Sequence, residues 1–92
     1  MGLMKVVILY RPKSEYATAV EAFVHDYQVR HGSAKLEMLN VDEREGIALA
    51  SLYDIMQFPA IMAVAVDGTL LHLWEGPQLP LMDEVASYMY TT

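Results

Sequence analysis

The sequence predicts an α/β fold in which a mixed four-stranded sheet carries helices on both faces. One observation is the apolar, β-branched run Lys5–Tyr10, which is typical of a strand buried on both faces. A second is the alternation of strand-like runs with segments of helical periodicity, which predicts that the first two strands are parallel through a right-handed crossover. A third is Asp67-Gly68-Thr69, a hairpin signal that makes the last two strands antiparallel. The predicted element order is β-α-β-α-β-β-α.

The first helix is predicted to run from Glu15 to His31. Arg11-Pro12-Lys13 interrupts the preceding strand, Ser14 is a suitable N-cap, and Gly32 can end the helix in a left-handed conformation. Apolar residues recur at helical spacing within this segment, so one face of the helix should be buried. That face comprises Tyr16, Val20, Phe23, Val24 and Tyr27.

The second strand is predicted at Leu36–Val41 and the second helix at Glu43–Met56. Asp42, with Glu45 three residues later, forms an acidic variant of the capping box at the start of this helix. The helix residues expected to be buried are Leu49, Leu52, Tyr53 and Met56.

The last part of the chain is predicted to form a hairpin and a final helix. The hairpin strands are Ala60–Val66 and Leu70–Trp74, and the helix runs over Leu81–Tyr90. One side of that helix should carry Met82, Val85 and Met89.

The composition indicates one domain, residues 1–92, whose core is held together by packing alone. The 92 residues are 54% hydrophobic, include no cysteine for a disulfide and have no Pro/Gly/Ser-rich linker. The net charge of −6 and the scattered basic residues argue against binding to nucleic acid or to an anionic membrane. The apolar run Val6–Leu9 is too short for a signal peptide or a membrane span, so the expected location is the cytoplasm.

Several short motifs resemble those of the thioredoxin family. Met38–Asp42 is similar to the end of a thioredoxin strand, and Tyr53-x-Ile55 followed by Phe58-Pro59 resembles the family's Tyr-x-Ile and Ile-Pro-Thr segment. Asp67-Gly68 and Gly76 match the family's later glycines in order and spacing. The resemblance covers nearly the whole chain and implies a minimal, glutaredoxin-sized thioredoxin-like fold without the extra N-terminal strand and helix. It also implies a cis peptide bond before Pro59.

The residues that perform redox chemistry in that family are missing from this chain. The resemblance aligns the Cys-x-x-Cys pair with Ser14–Ala17, and it aligns the buried acid of the first strand with Val7-Ile8-Leu9. Without a thiolate the domain cannot carry out thiol–disulfide exchange. Ser14 has no nearby base in the sequence that would make it a nucleophile. We therefore predict no catalytic residue and no enzymatic activity.

No metal or cofactor site is predicted from the remaining polar residues. His25, His31 and His72 are dispersed along the chain, and the acidic residues at the start of the second helix suit its N-terminus better than a cation. Arg11 and Lys13, beside the start of the first helix, could attract a small anion such as a glutathione-like carboxylate.

The predicted function is that of a redox-inactive protein-interaction module with a protein or peptide as its partner. In the resemblance, Phe58 supplies an apolar anchor, and its main chain bonds an extended peptide in the manner of strand addition. The partner-binding residues that the resemblance implies are Lys13, Ser14, Glu15, Tyr16, Phe58, Pro59, Glu75 and Gly76. Two alternatives remain: a domain that binds a small anionic ligand, and a self-associating regulatory subunit that forms a homodimer.

Overall fold

The computed structural model describes residues 5–30, 35–76 and 78–87. The first half contains β1 (Lys5–Tyr10), α1 (Ala17–Arg30), β2 (Lys35–Asn40) and α2 (Arg44–Leu52). The second half contains β3 (Ala60–Val64), β4 (Leu70–Glu75) and α3 (Met82–Ser87). This is the element order that the hydrophobic pattern predicts, and it confirms the α/β class.

The four strands form one mixed sheet in the order β2-β1-β3-β4. β1 is parallel to β2, with Lys5 opposite Lys35 at one end. β1 is antiparallel to β3, and β3 is antiparallel to β4, with a register irregularity at Ala63/Val64. The predicted parallel and antiparallel pairings are therefore confirmed.

The unbroken apolar run of β1 follows from burial on both faces of the sheet. Successive side chains of a strand point to opposite faces. Val6 and Ile8 pack with α1 and with Val85 of α3, whereas Val7 and Leu9 belong to a second cluster on the side of α2. Helices therefore cover both faces of the sheet. The predicted buried face of α1 is confirmed for Val20, Phe23, Val24 and Tyr27, and Tyr16 is half-buried.

The predicted starts of the first two helices are wrong. α1 begins at Ala17, and the Ser14 hydroxyl donates to the Arg11 carbonyl at 2.6 Å within the preceding turn instead of capping the helix. The N-cap of α2 is Glu43, and it makes no side-chain capping hydrogen bond. The predicted capping box fails because the N-cap is one residue later than Asp42, and the Asp42 carboxylate instead accepts a hydrogen bond from Arg11.

α2 is also shorter than its hydrophobic pattern predicts. The helix ends at Leu52, and Asp54 follows in a left-handed conformation with φ 55°. Leu52 and Met56, which the hydrophobic pattern predicts to be buried, are 72% and 82% exposed. The predicted burial of Leu49 and Tyr53 is met only in part, because both are half-buried.

The remaining differences lie at the ends of elements. β3 stops at Val64, next to its register irregularity, so Val66 is exposed, and β4 continues to Glu75. Val85 of α3 is buried as predicted. The predicted end of the first helix at His31–Gly32 and the predicted end of the last helix, including Met89, lie outside the described residues. Among the helices that are described, none is long and apolar enough to cross a membrane.

Candidate functional site

The strand register brings three separate segments together at one end of the sheet. Leu9, near the end of β1, is opposite Ala60, the first residue of β3, and Ala60 is opposite Glu75, the last residue of β4. The loop after β1, the loop before β3 and the turn after β4 therefore meet. We call residues 11–16, 58–59 and 75–76 the proline-loop surface.

The loop before β3 is held from both sides of Phe58. The Phe58–Pro59 peptide bond is cis, and the Gly76 N–H donates to the Pro59 carbonyl at 3.0 Å. The Glu75 carboxylate accepts the N–H groups of Met56 at 3.2 Å and Gln57 at 3.4 Å. The contacts that the structure gives Glu75 and Gly76 are therefore with the loop itself.

Gly76 suits this position for two reasons. Its φ of 102° lies in the left-handed region, which glycine adopts without steric cost. A Cβ there would also lie 3.3 Å from the Gln57 side-chain oxygen, tighter than an ordinary contact.

The Phe58 backbone has both of its polar groups unpaired in the described part of the chain. Within residues 5–30, 35–76 and 78–87, its N–H and its C=O form no hydrogen bond, whereas the Gln57 N–H and the Pro59 C=O on either side do. Backbone polar groups require partners in the protein, in water or in a ligand. An extended peptide beside the loop would find one donor and one acceptor already held in place.

The Phe58 ring is less available than its backbone. The side chain is half-buried and packs against the cluster on the α2 side of the sheet. The guanidinium carbon of Arg11 lies 5.5 Å from the ring centroid, within the range of a cation–π contact. Arg11 Nε in turn donates to Asp42 Oδ1 at 3.3 Å. Arg11 therefore covers the predicted apolar anchor. The sequence did not indicate this contact between Arg11 and Phe58.

The other predicted site residues divide between surface and core. Lys13 and Glu15 are exposed, and Ser14 is half-buried. Tyr16 packs against the cluster on the α1 side, and its buried hydroxyl has no hydrogen-bond partner among the described residues. Tyr16 is therefore held mainly by intramolecular packing.

A cleft of roughly 240 Å³ adjoins the Arg11 side of the surface. It is lined by Arg11, Pro12, Lys13, Ser14, Asn40 and Asp42. The Asp42 carboxylate is paired with Arg11 in this cleft, so Lys13 is the basic residue there without an ion-pair partner among the described residues. Burial, together with the Glu21 carboxylate, raises the pKa of the Tyr10 hydroxyl at the end of β1 above its ordinary value.

The described part of the chain contains no group of three or more histidine, aspartate or glutamate residues that could hold a metal ion. His25 and His72 are exposed on different elements. The third histidine, His31, lies outside the described residues.

No family model matches this chain, and no curated protein matches it. Solved structures do match. A thioredoxin-2 described as a component of the malaria parasite protein secretion machinery is 17% identical over 95% of this chain and 82% of its own, with a TM-score of 0.77. The oxidised thioredoxin from Plasmodium falciparum is 13% identical over 94% of this chain and 81% of its own, also with a TM-score of 0.77.

A third match is Deadhead, the germline-specific thioredoxin of Drosophila melanogaster, which is 17% identical over 95% of this chain and 78% of its own, with a TM-score of 0.73. At such identities these matches establish the fold alone. The chain has a thioredoxin-like fold, and because it contains no cysteine, the Cys-x-x-Cys motif is absent.

Proposed function

We propose that this protein is a non-enzymatic, redox-inactive module that binds an extended peptide at the proline-loop surface. The observation that carries the proposal is that the Phe58 N–H and C=O have no hydrogen-bond partner among the described residues, whereas the Gln57 N–H and the Pro59 C=O beside them are bonded. A peptide that lies extended beside this loop forms main-chain hydrogen bonds with Phe58, and its side chains contact the loop on either side.

The chemistry of the site favours equilibrium binding over turnover. Thiol–disulfide exchange requires a thiolate, and the chain has no cysteine. The Ser14 hydroxyl, which the resemblance aligns with the family's first cysteine, donates a hydrogen bond to the Arg11 carbonyl. A hydroxyl used in this way lacks the adjacent base that activates a nucleophile.

A peptide that contacts the Phe58 ring in addition to the Phe58 backbone must first displace Arg11, and this displacement costs free energy. Two main-chain hydrogen bonds contribute about 0.5–1.5 kcal/mol each, which is too little for tight binding. Apolar contact with the ring would add to this, but the contact requires Arg11 to leave the ring and Asp42. Both side chains of that ion pair are at least half exposed. Their separation, with loss of the cation–π contact, costs on the order of 1 kcal/mol.

Peptide selection provides a direct test. A random peptide library displayed on phage is selected against the immobilised protein, and the enriched peptide is titrated into labelled protein with amide shifts recorded by NMR. We expect the largest shift at the Phe58 amide and a loss of affinity of about tenfold or more in Pro59→Ala, because the substitution removes a fully buried ring from the loop that presents the Phe58 amide. Val29→Ala on the exposed part of α1 is the control and should bind as the wild type does.

Arg11→Ala gives a second and opposite readout. Because it uncovers the Phe58 ring, it should tighten binding by about two- to tenfold. A gain of affinity cannot result from poor folding, so this variant keeps the proposal testable if Pro59→Ala does not fold. A Phe58 amide that does not respond to the peptide, together with unchanged affinity in Arg11→Ala, would contradict the proposal.

The cleft beside Arg11 supports a second candidate function, the binding of a small anion such as glutathione. The paired Asp42 carboxylate weakens this candidate because it places negative charge where the anion would sit. We therefore expect no change in melting temperature with millimolar glutathione. A clear stabilisation that Lys13→Ala abolishes would favour the anion-binding function.

A further inference from the structure

We propose that Met56 is the site at which peroxides oxidise this protein, and that methionine sulfoxide there weakens peptide binding at the proline-loop surface. The effect on binding rests on the proposed function, whereas the oxidation itself does not. The chain contains seven methionines and no cysteine, so all of its sulfur is in thioether groups. Peroxides oxidise such groups to sulfoxides, and dedicated reductases reverse the reaction.

Burial separates Met56 from the other methionine side chains that the structure describes. Met56 is 82% exposed, Met38 is half-buried and Met62 is fully buried. Met62 lies on β3 in the middle of the sheet, between Val7 of β1 and Leu73 of β4. A peroxide must reach the sulfur atom, so the rate of oxidation follows exposure. Met56 should therefore react first among these three.

The reaction needs one oxidant and no catalytic residue. The thioether sulfur donates an electron pair to one oxygen of hydrogen peroxide, and the O–O bond breaks as the S–O bond forms. The hydroxide that leaves takes the proton from the transferred OH group and becomes water. The sulfur is thereby oxidised by two electrons and the peroxide is reduced by two. The product carries a polar sulfoxide in place of an apolar thioether.

Met56 lies in the loop that presents the Phe58 backbone. It is two residues before Phe58, and its N–H donates to the Glu75 carboxylate at 3.2 Å. Gly76, the neighbour of Glu75, donates its N–H to the Pro59 carbonyl at 3.0 Å. The end of β4 therefore holds the loop on both sides of Phe58, while the Met56 side chain is exposed to solvent.

A peptide bound along the Phe58 backbone comes within reach of Met56. An extended chain advances about 3.3 Å per residue, so a peptide side chain two positions from the Phe58 contact lies beside Met56. The unbranched, polarisable thioether adapts to apolar partners of different shapes. A sulfoxide opposes such a contact, because its oxygen loses water without gaining a hydrogen bond.

The exposure of Met56 also means that its oxidation should spare the fold. Met56 belongs to neither hydrophobic cluster of the described residues, and its backbone hydrogen bond does not involve the sulfur. Oxidation of Met62, in contrast, would place a polar group inside the cluster on the α2 side of the sheet. Met56 therefore allows a reversible change of the binding surface without unfolding.

Peptide mapping tests the oxidation site. The protein is treated with hydrogen peroxide at neutral pH, catalase removes the excess, and mass spectrometry follows the sulfoxide at each methionine over time. We expect the Met56 sulfoxide to form about tenfold or more faster than the Met62 sulfoxide, and also faster than the Met38 sulfoxide. The melting temperature should not change when Met56 is oxidised. A Met56 rate no higher than that of Met62 would overturn the assigned site.

Peptide titration tests the effect on binding. A library-selected peptide without methionine is added after the peroxide has been removed, so that only the protein is oxidised. Oxidation should lower the affinity about three- to tenfold, because an apolar contact is lost. Methionine sulfoxide reductases A and B, with dithiothreitol as the electron donor, should restore it. Unchanged affinity in protein that is fully oxidised at Met56 would overturn the effect on binding.

Two leucine variants assign the effect to one sulfur. Met56→Leu keeps an apolar side chain that peroxide does not oxidise, so its affinity should be the same before and after treatment. Met38→Leu removes a different sulfur, and peroxide should lower its affinity as in the wild type. A loss of affinity in peroxide-treated Met56→Leu would overturn the role of Met56.

Failure of the proposed function has a different signature. If no selected peptide shifts the Phe58 amide, peptide binding at the proline-loop surface is refuted and the effect of oxidation on binding is refuted with it. The comparison of oxidation rates needs no peptide, so it decides the oxidation site in either case.

Discussion

Gly46 allows α2 to pack closely against the end of β2, and its replacement by alanine should destabilise the protein. A Cβ at this position would lie 2.1 Å from the Asn40 carbonyl oxygen, 2.8 Å from the Asn40 carbonyl carbon and 3.1 Å from the Val41 Cα. All three atoms belong to the backbone, so no side-chain rotation relieves the clash. Since a close carbon–oxygen contact is about 3.3 Å, α2 would have to move away from the sheet by about 1 Å.

The size of the effect follows from two opposing contributions. Helix propensity favours alanine over glycine by about 1 kcal/mol. Overpacking a well-packed site costs typically 1–3 kcal/mol and occasionally more, and the rigid backbone partner places this case at the upper end. We expect a net loss of about 2 kcal/mol, which lowers the melting temperature of a domain of this size by roughly 8–16 °C.

The sign of the change distinguishes packing from propensity. Thermal and urea unfolding of Gly46→Ala are compared with those of Ser51→Ala, an exposed position on the same helix where alanine should stabilise by about 0.5 kcal/mol. Loss of stability in the first variant and a small gain in the second are expected. If Gly46→Ala matched or exceeded the stability of the wild type, the close approach of α2 to Asn40 would be refuted.

Three further predictions concern single hydrogen-bonding groups. Tyr16→Phe should raise the free energy of unfolding by about 1 kcal/mol, because it removes a buried hydroxyl without a partner among the described residues. Urea titrations measure this change. A loss of stability would show that the hydroxyl is bonded. Glu75→Ala should speed hydrogen exchange at the amides of Met56 and Gln57, because both N–H groups donate hydrogen bonds to the Glu75 carboxylate. Unchanged exchange rates would mean that this carboxylate does not hold the loop. Hydrogen bonds from Thr69 lower the pKa of the Asp67 carboxyl below its ordinary value of 3.8. Its contribution to the hairpin is therefore fully present above that value and is lost as the pH falls through the lower folded-state pKa, so amide exchange at the hairpin should rise in acid in the wild type and show no such step in Asp67→Asn.

The order of elements was predictable because hydrophobic periodicity is a local property of the chain. The unbroken apolar run of β1 and the helical spacing in α1 each reflect which side chains meet the core. The hairpin signal at Gly68 also depends on local conformation, here a φ of 91°. The secondary structure of such segments can be predicted from their own residues, without knowing which distant residues they contact.

The capping of α2 shows where local reasoning fails. Asp42 stands at the right spacing from Glu45 to begin a helix, yet its carboxylate bonds Arg11 from the end of β1. That pairing exists because β1 and β2 are parallel neighbours whose ends coincide. The apolar pattern of α2 likewise continues past Leu52, but the left-handed Asp54 turns the chain away and leaves Met56 exposed.

The residues alone specify a cysteine-free chain with alternating strands and helices, and the resemblance to thioredoxins implies that Phe58 and Glu75 belong to one surface. Only the tertiary structure shows that Arg11 covers the Phe58 ring while the Phe58 backbone finds no partner in the part of the chain that the structure describes. The physical reason is that core burial depends on the spacing of apolar residues within a segment. Contacts between loops depend on the register of strands that lie far apart in the chain.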